Sequence, residues 1–364
     1  MTFSPYDPAA SPRDLRLDLL RGLCLVKMAF NHFWHTPIHF IQQWIGFTSA
    51  AAGFFFISGV VAGHVYGRRA RERGLAAVSL DALRRALHLY LANLALVFLF
   101  FGLEASRVLP YRFFYHPDFR WPELFAFNHP YALQVLPRYA VFLALMPLAL
   151  WCLLKGRTAW LVGASVGLWL LNLVLGGKLT VPYLEAGEFG GFLLIAWQML
   201  FFLGLALGYH RERAGRWWRE RPAWLTVGVP VAGFLGFVLF ERAVAFGWVP
   251  LRQDLAFEIF GRDHLGPGRI VNLTLAFAFW FALFDRAWRP LGRWLGPWLV
   301  PMGQRALTVF LAHLLLLALG KSIEAQLPFA LTDFALVLIA LDLLFLALLW
   351  ALARTRRLAW LIPN

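Results

Sequence analysis

The sequence is short of charge and of cysteine. Only 15% of its 364 residues are Asp, Glu, Lys or Arg, whereas soluble domains carry about 25%. Its two cysteines, Cys24 and Cys152, lie in apolar stretches, which argues against a disulfide framework and favours packing roles. The histidines and cysteines show no metal-ligand spacing, and no Walker loop or dinucleotide fingerprint is present. We therefore expect no metal site and no permanently bound cofactor.

What the chain has instead is long apolar runs. It is 60% hydrophobic and 17% aromatic, with a mean hydropathy of +0.63. A bilayer-spanning helix needs roughly 18 or more apolar residues, and in lipid the backbone groups must bond within the segment. Ten windows meet this description, near residues 16–36, 44–66, 85–104, 131–154, 158–175, 189–209, 222–242, 270–288, 295–319 and 329–353. The sequence predicts an all-α, polytopic integral membrane protein with about ten transmembrane helices in one bundle.

The basic residues are unevenly distributed among the connections. With ten spans, the termini and the even-numbered connections hold 21 of the 34 Lys and Arg residues, and basic residues favour the cytoplasmic side. We therefore expect both termini in the cytoplasm and read the net charge of +14 as a topology signal rather than a nucleic-acid surface. The domain prediction is a single membrane domain over residues 1–364, with a short cytoplasmic segment at 1–15. No apolar signal-peptide core is visible before the first window, which we expect to be an uncleaved anchor.

The first window carries polar residues in the stretch "RGLCLVKMAFNH" (21–32). Arg21 and His32 are eleven residues apart, about three helical turns, which places them on one face and roughly 16 Å apart along the axis. Asp18 precedes Arg21 by three residues and can pair with it, and His35 follows His32 by three. Arg21 could simply reach the membrane interface while His32 packs with a hydrogen bond.

The functional interpretation of this face is more specific. A histidine can take a proton from an alcohol near neutral pH, and an arginine can hold a phosphate or carboxylate with two parallel hydrogen bonds. An acyl-CoA entering from the cytoplasm would place its anions near Arg21 and its thioester near His32.

A second group of candidates is basic and lies at the inner end of the second window. The connection "GRRARERG" (67–74) contains Arg68 and Arg71, and Arg84 and Arg85 follow. These residues could set topology and contact anionic membrane lipid. The functional alternative is a cytoplasmic clamp on the phosphorylated nucleotide of CoA, with Arg68 and Arg71 as its best members.

Weaker candidates come from polar residues in later windows. Arg305 and His313 are eight residues apart in the ninth window, so both could face the bundle interior, and Gln198 could bond another helix. Asn31 directly precedes His32 and His35 follows it by three residues, and we expect both to contact the substrate. The outer segment 105–130 could present aromatic rings and histidines to a sugar, although an interfacial aromatic belt is the favoured explanation.

The stretch "RDLRLDLLRGLCLVKMAFNH" (13–32) resembles the opening of OpgC-type membrane proteins, the succinyltransferases of osmoregulated periplasmic glucans. It also shares the arginine-to-histidine spacing of the wider acyltransferase-3 group. Further similar stretches are "FFFISGVVAGHVYGRR" (54–69), "RRALHLYLANL" (84–94), "LQVLPRYAVFLAL" (133–145), "AWQMLFFLGLALG" (196–208) and "MGQRALTVFLAHLLL" (302–316).

The resemblance implies an O-acyltransferase of the bacterial inner membrane. It would move a succinyl or acetyl group from cytoplasmic acyl-CoA to a carbohydrate hydroxyl at the periplasmic face, with His32, Arg21 and Asp18 as catalytic residues. The family's pattern has acidic residues before the phenylalanines of the second helix and before the histidine. This sequence has Ser49, Ala52 and Asn31 there.

Two other functions compete with acyl transfer. A transporter or flippase of a glycan or lipid-linked saccharide would be expected to show repeat symmetry or broken helices, and the sequence predicts neither. A non-catalytic partner of a glycan-synthesis complex would not need Arg21 and His32 on one face.

Overall fold

The structure is a computed structural model that describes residues 6–7, 13–33, 45–106, 134–178, 192–324, 326–327 and 334–355. In these ranges the chain forms fourteen α-helices and one π-helical turn, Trp224–Gly228, and no strand. The helices are α1 Leu15–His32, α2 Ala50–Arg73, α3 Leu75–Ala105, α4 Val135–Leu154, α5 Thr158–Val174, α6 Leu194–Tyr209, α7 Arg211–Glu220, α8 Val229–Ala245, α9 Gln253–Phe260, α10 Pro267–Arg286, α11 Trp288–Trp294, α12 Gly296–Gln304, α13 Ala306–Glu324 and α14 Ala335–Arg354. The all-α prediction is confirmed.

Every predicted window contains a helix. By length and composition, seven described helices can cross a membrane: α2, α3, α4, the run Trp224–Ala245, α10, α13 and α14. Helices α5 and α6 are apolar but shorter. Helix α1 has 18 residues and is more polar, because Arg16, Asp18, Arg21 and Lys27 lie within it. The chain is a multi-pass membrane protein.

Several window boundaries were wrong; for example, α3 begins at Leu75, ten residues before its window at 85–104. Helix α1 ends at His32, four residues before the predicted end, and the Phe33 N–H caps it by donating to the Ala29 carbonyl at 3.0 Å. The ninth window is two helices, α12 and α13, which are interrupted at Arg305.

The interruption at Arg305 is a single break, so the prediction that the chain has no paired broken helices of an inverted repeat stays a prediction. Pro297 and Pro301 lie in α12, and proline removes backbone donors from a helix. Arg305 leaves helical geometry at φ −116° and ψ 43°. Its guanidinium donates to the Thr355 carbonyl, so the break is stabilised by a polar contact.

The described residues belong to two compact units, and the division falls inside α2. Unit 1 comprises Met1–Phe54, Arg219–Arg252 and Ile270–Asn364, and unit 2 comprises Phe55–Trp218 and Gln253–Arg269. The candidate residues of α1, α12 and α13 belong to unit 1. Those of α2, α3 and α6 belong to unit 2. One membrane domain over residues 1–364 stays a prediction.

In unit 1, α1 and α12 pack backbone against backbone. A Cβ atom added at Gly22 would lie 2.1 Å from the Leu299 carbonyl oxygen, and one added at Gly303 would lie 1.8 Å from that of Asp18. Small residues allow such close helix packing in membranes. The contact fixes the turn of α1 that carries Asp18 and Arg21.

Aromatic side chains form the core of unit 2. The Phe55 ring lies 5.5 Å from Phe142 and 5.6 Å from Trp197, and Phe142 stacks on Phe201 at 5.7 Å. Edge-to-face and offset contacts of this kind stabilise cores beyond their buried area. They hold α2, α4 and α6 together.

Candidate active site

The predicted pair between Asp18 and Arg21 is present. An Nη2–H of Arg21 donates to Oδ1 of Asp18 at 3.0 Å, and both side chains are buried. Arg13 approaches the other carboxylate oxygen, Oδ2, with its Nε at 3.2 Å. Asp18 therefore lies between two guanidinium groups, which fixes the Arg21 side chain at the first turns of α1.

Arg16 is a basic residue near the N-terminus, and the structure gives it a packing role. Its guanidinium bonds Asp14 and Asp285, and it lies 4.3 Å from the centre of the Tyr6 ring and 4.4 Å from that of Phe281. Such cation–π contacts are favourable when desolvated. Arg16 thus ties the start of α1 to the end of α10 and leaves Arg21 as the cation assigned to the candidate site.

The second half of the site is a histidine pair. Nδ1 of His32 lies 3.0 Å from Nε2 of His313, and the two rings are nearly parallel with centres 5.2 Å apart. His313 is 2% exposed, whereas His32 is partly exposed. The sequence predicted both residues as candidates but not their contact, because 281 positions separate them.

The surroundings of His313 indicate which nitrogen of each ring carries a hydrogen atom. Its Nε2 faces His32, and the backbone of Phe310 acts on the same ring. We assign the His313 proton to Nδ1, which directs the Nε2 lone pair toward His32. The Nε2 lone pair of His313 then accepts Nδ1–H of His32, and this tautomer puts the His32 lone pair on Nε2. The tautomers are assigned from the hydrogen-bond network.

The three positions where the family's pattern has acids play other roles here. Ser49 caps α2, because its Oγ accepts the Ala52 N–H at 3.3 Å, and serine is a good N-cap. Ala52 is fully buried, and Asn31 is exposed at the end of α1. His313 is a hydrogen-bonding partner of His32.

Asp342 was missed by the sequence analysis. It is fully buried in α14, one turn before Phe345, whose ring contacts Phe33 at 5.0 Å. A lone carboxylate in an otherwise apolar helix is expensive and marks a functional candidate. That rule could have identified it from the sequence.

The basic candidates of unit 2 are not equivalent. Arg71 is exposed and its guanidinium lies 4.7 Å from the centre of the Tyr209 ring. Arg68 instead faces Glu72, with 3.7 Å between Nε and Oε1. Arg84 is exposed and Arg85 partly buried, and the positive charge of Arg85 acts on the Tyr66 hydroxyl.

His210 shows that positive charge accumulates beside Arg71. Burial first, and then the charges of Arg213 and Arg71, lower the pKa of His210 below its ordinary value. Its Nε2 lies 2.8 Å from Oγ1 of Thr158. This end of α6 is therefore chemically suited to an anionic group.

The remaining predicted residues are less central. The Gln198 amide donates to the Ser165 and Ile195 carbonyls and accepts from the Ser165 hydroxyl at 2.6 Å. The two bonds to Ser165 join α6 to α5, as the sequence predicted when it suggested that Gln198 bonds another helix. Arg305 occupies the α12–α13 break. His35 lies outside the described residues, as do most of 105–130. Among the described side chains no group of three or more metal-ligand residues occurs.

Comparison with known proteins supplies the family. The family model described as "OpgC protein" matches residues 13–360, which is nearly the whole chain. The chain belongs to the OpgC family. No curated protein and no solved structure matches it. OpgC membership, together with the apolar helices, supports a membrane acyltransferase-like role in glucan modification.

Proposed function

We propose that this OpgC protein is an acyl-CoA-dependent O-acyltransferase that places a succinyl or acetyl group on a carbohydrate hydroxyl at the outer face of the bacterial inner membrane. The observation that carries the proposal is the His32–His313 pair at the end of α1. In the assigned tautomers it puts a basic nitrogen on a partly exposed ring. A histidine of this kind suits proton removal from an alcohol.

The reaction follows from that assignment. Nε2 of His32 removes the proton of the sugar hydroxyl while the oxygen attacks the thioester carbonyl carbon and forms the new C–O bond. The C–S bond then breaks and CoA leaves as a thiolate. At that point the proton taken from the sugar hydroxyl is on Nε2 of His32. His313 stabilises the His32 imidazolium by accepting its Nδ1–H bond, in the way that a second group orients a catalytic histidine.

Arg21 is proposed to orient the donor. Its planar guanidinium suits two-point binding of a phosphate, and Asp18 holds it in place. Because α1 is continuous from Leu15 to His32, the spacing of about 16 Å between Arg21 and His32 applies. The anionic part of the donor would contact Arg21, and the thioester would lie toward His32.

The test is acyl transfer by the purified full-length protein in liposomes. Labelled succinyl-CoA or acetyl-CoA is supplied together with a β-glucan, and label is expected in an ester of the glucan. Glucan counterflow without ester formation would favour the transporter alternative instead. The break at Arg305 alone does not support that alternative, since inverted repeats place broken helices at corresponding positions of two halves.

The nucleotide part of acyl-CoA is proposed to bind the basic end of α2. Arg71→Ala should weaken CoA binding by about tenfold, the value of one charge-assisted hydrogen bond. Arg68→Ala should change it less, because Glu72 already faces Arg68 and both side chains are more than half exposed. Equilibrium dialysis with labelled CoA measures both, and Arg84→Ala and Arg85→Ala extend the comparison.

Unchanged CoA affinity in Arg71→Ala would leave the basic connection as a lipid-binding and topology element. The lipid interpretation makes a different prediction, namely that Arg71→Ala and Arg68→Ala reduce retention of anionic lipid equally. Expression and orientation in the membrane provide the folding control.

The proposed direction of transfer requires both termini in the cytoplasm. Reporter tags placed before residue 1 and after residue 364 should both report the cytoplasmic side, and a tag within 105–130 should report the periplasm. The basis is the excess of basic residues in the even-numbered connections. A periplasmic C-terminus would refute the ten-span topology.

A further inference from the structure

The connection between α9 and α10 in unit 2, residues 261–266, contains an unusual backbone position. Leu265 is fully buried and has φ +53°, and it is the one non-glycine residue with positive φ among those the structure describes. A bulky residue in the left-handed region is strained and persists only where its surroundings fix it. Here Nε1 of Trp169 donates to the Leu265 carbonyl at 2.9 Å.

The same connection is held at two more points. Nε1 of Trp197 donates to the carbonyls of Arg262 at 3.2 Å and Asp263 at 3.1 Å. The Leu193 N–H also donates to the Asp263 carbonyl at 3.2 Å. Three separate donors therefore hold the backbone that presents the Arg262 side chain, which is 54% exposed.

Two arginines of this region have donors suited to an anion. The Arg262 guanidinium lies 5.6 Å from the centre of the Phe192 ring, and its Nε is 3.5 Å from Oδ1 of Asp263. Arg269, at the start of α10, uses Nε to donate to the Phe260 carbonyl at 3.0 Å. The positive charges of Arg262 and Arg269 repel each other, and Asp263 offsets part of this.

A further arginine contacts the residue that packs against Arg262. Arg138 of α4 is 4% exposed, and its Nε donates to the carbonyl of Phe192, the residue whose ring lies under Arg262. Keeping like charges close costs free energy that a bound anion would recover. In the proposed topology this connection is periplasmic, where arginines are not required to set orientation.

We propose that Arg262 and Arg269 bind a phosphate or carboxylate group of a ligand at this end of unit 2. The anion would be carried either by a saccharide or by a lipid headgroup. Arg262 would supply exposed guanidinium donors and Arg269 its terminal nitrogens, while Arg138 holds the Phe192 backbone. The site needs no acyl transfer, so it stands or fails separately from the proposed function.

The test uses full-length protein in phosphatidylcholine nanodiscs. Equilibrium dialysis measures binding of labelled glucose 6-phosphate, with glucose as the uncharged control. Arg262→Gln and Arg269→Gln are each expected to weaken glucose 6-phosphate binding about tenfold to hundredfold, as loss of a charge-assisted hydrogen bond predicts. Arg252→Gln is the control, because it removes an exposed arginine that lies before α9 and outside the 261–266 connection.

A second arm identifies the source of the anion. Nanodiscs containing phosphatidylglycerol are compared for lipid retention by the wild type and the same variants. Loss of sugar-phosphate binding assigns a saccharide, and loss of phosphatidylglycerol retention alone assigns a lipid headgroup. The proposal is overturned if Arg262→Gln and Arg269→Gln match Arg252→Gln in both arms. CoA binding by these variants, measured in parallel, should stay at the wild-type level and shows that they are folded.

Discussion

Replacing His32 by Gln is expected to slow acyl transfer by a factor of about 10² to 10⁴, the usual effect of removing a general base. Glutamine keeps a polar side chain of similar reach, but its amide cannot take a proton from the sugar hydroxyl. The measurement is the rate of ester formation on a glucan from labelled acyl-CoA at saturating donor. CoA binding should remain near the wild-type value, because the change lies away from Arg21 and Arg71.

His313 provides the companion variants. His313→Gln retains an oxygen that can accept the His32 Nδ1–H bond, whereas His313→Leu removes the acceptor and leaves that donor without its observed partner. We expect His313→Leu to lower the rate and move its pH profile, and His313→Gln to recover part of both. A merely structural role for His313 would change protein yield without moving the pH profile. Wild-type transfer by folded His32→Gln would refute the mechanism.

Removing the Asp18 carboxylate is expected to cause the second large effect. Asp18→Ala removes the carboxylate that bonds the buried Arg21 guanidinium, and breaking a buried pair costs about 3–5 kcal/mol in the free energy of unfolding. The Asp18 side chain is only 3% exposed and also faces Arg13. Denaturant unfolding in mixed micelles measures the loss. The control is Glu72→Gln in the exposed pair with Arg68, which should cost less than about 1 kcal/mol.

A double variant separates the structural and catalytic roles of this pair. Asp18→Leu combined with Arg21→Met removes both charges together and should restore much of the stability lost by Asp18→Ala, as apolar replacement of buried ion pairs often does. If Arg21 orients the donor, the double variant should transfer acyl groups more slowly than the wild type even though its stability is restored. Recovery of both stability and transfer would limit Asp18 and Arg21 to a packing role.

Prediction succeeded where the determining interactions are local. The apolar windows predicted all the long helices, because in lipid each run must satisfy its own backbone. The Asp18–Arg21 pair was also predictable, since three residues bring side chains together on one helix. The errors lie at helix ends and at Arg305, where proline and a distant carbonyl contact at Thr355 interrupt the predicted window.

The candidate site was only half predictable. His32 and His313 were both selected as polar residues in apolar helices, yet nothing in either window indicates that their rings meet. Arg16, Arg138 and Asp342 were not selected from the sequence. Each owes its role to partners on other helices or to burial.

By itself, the sequence determined that the chain is a helical, multi-pass membrane protein, that it belongs to the OpgC family, and that α1 carries Asp18, Arg21 and His32 at helical spacing. These properties depend on composition, on order and on the fixed rise and turn of a helix. Only the tertiary structure decided that His313 is the hydrogen-bonding partner of His32 and that α12 packs directly on the Asp18 turn. Contacts between distant segments depend on how whole helices pack, and local spacing does not encode that choice.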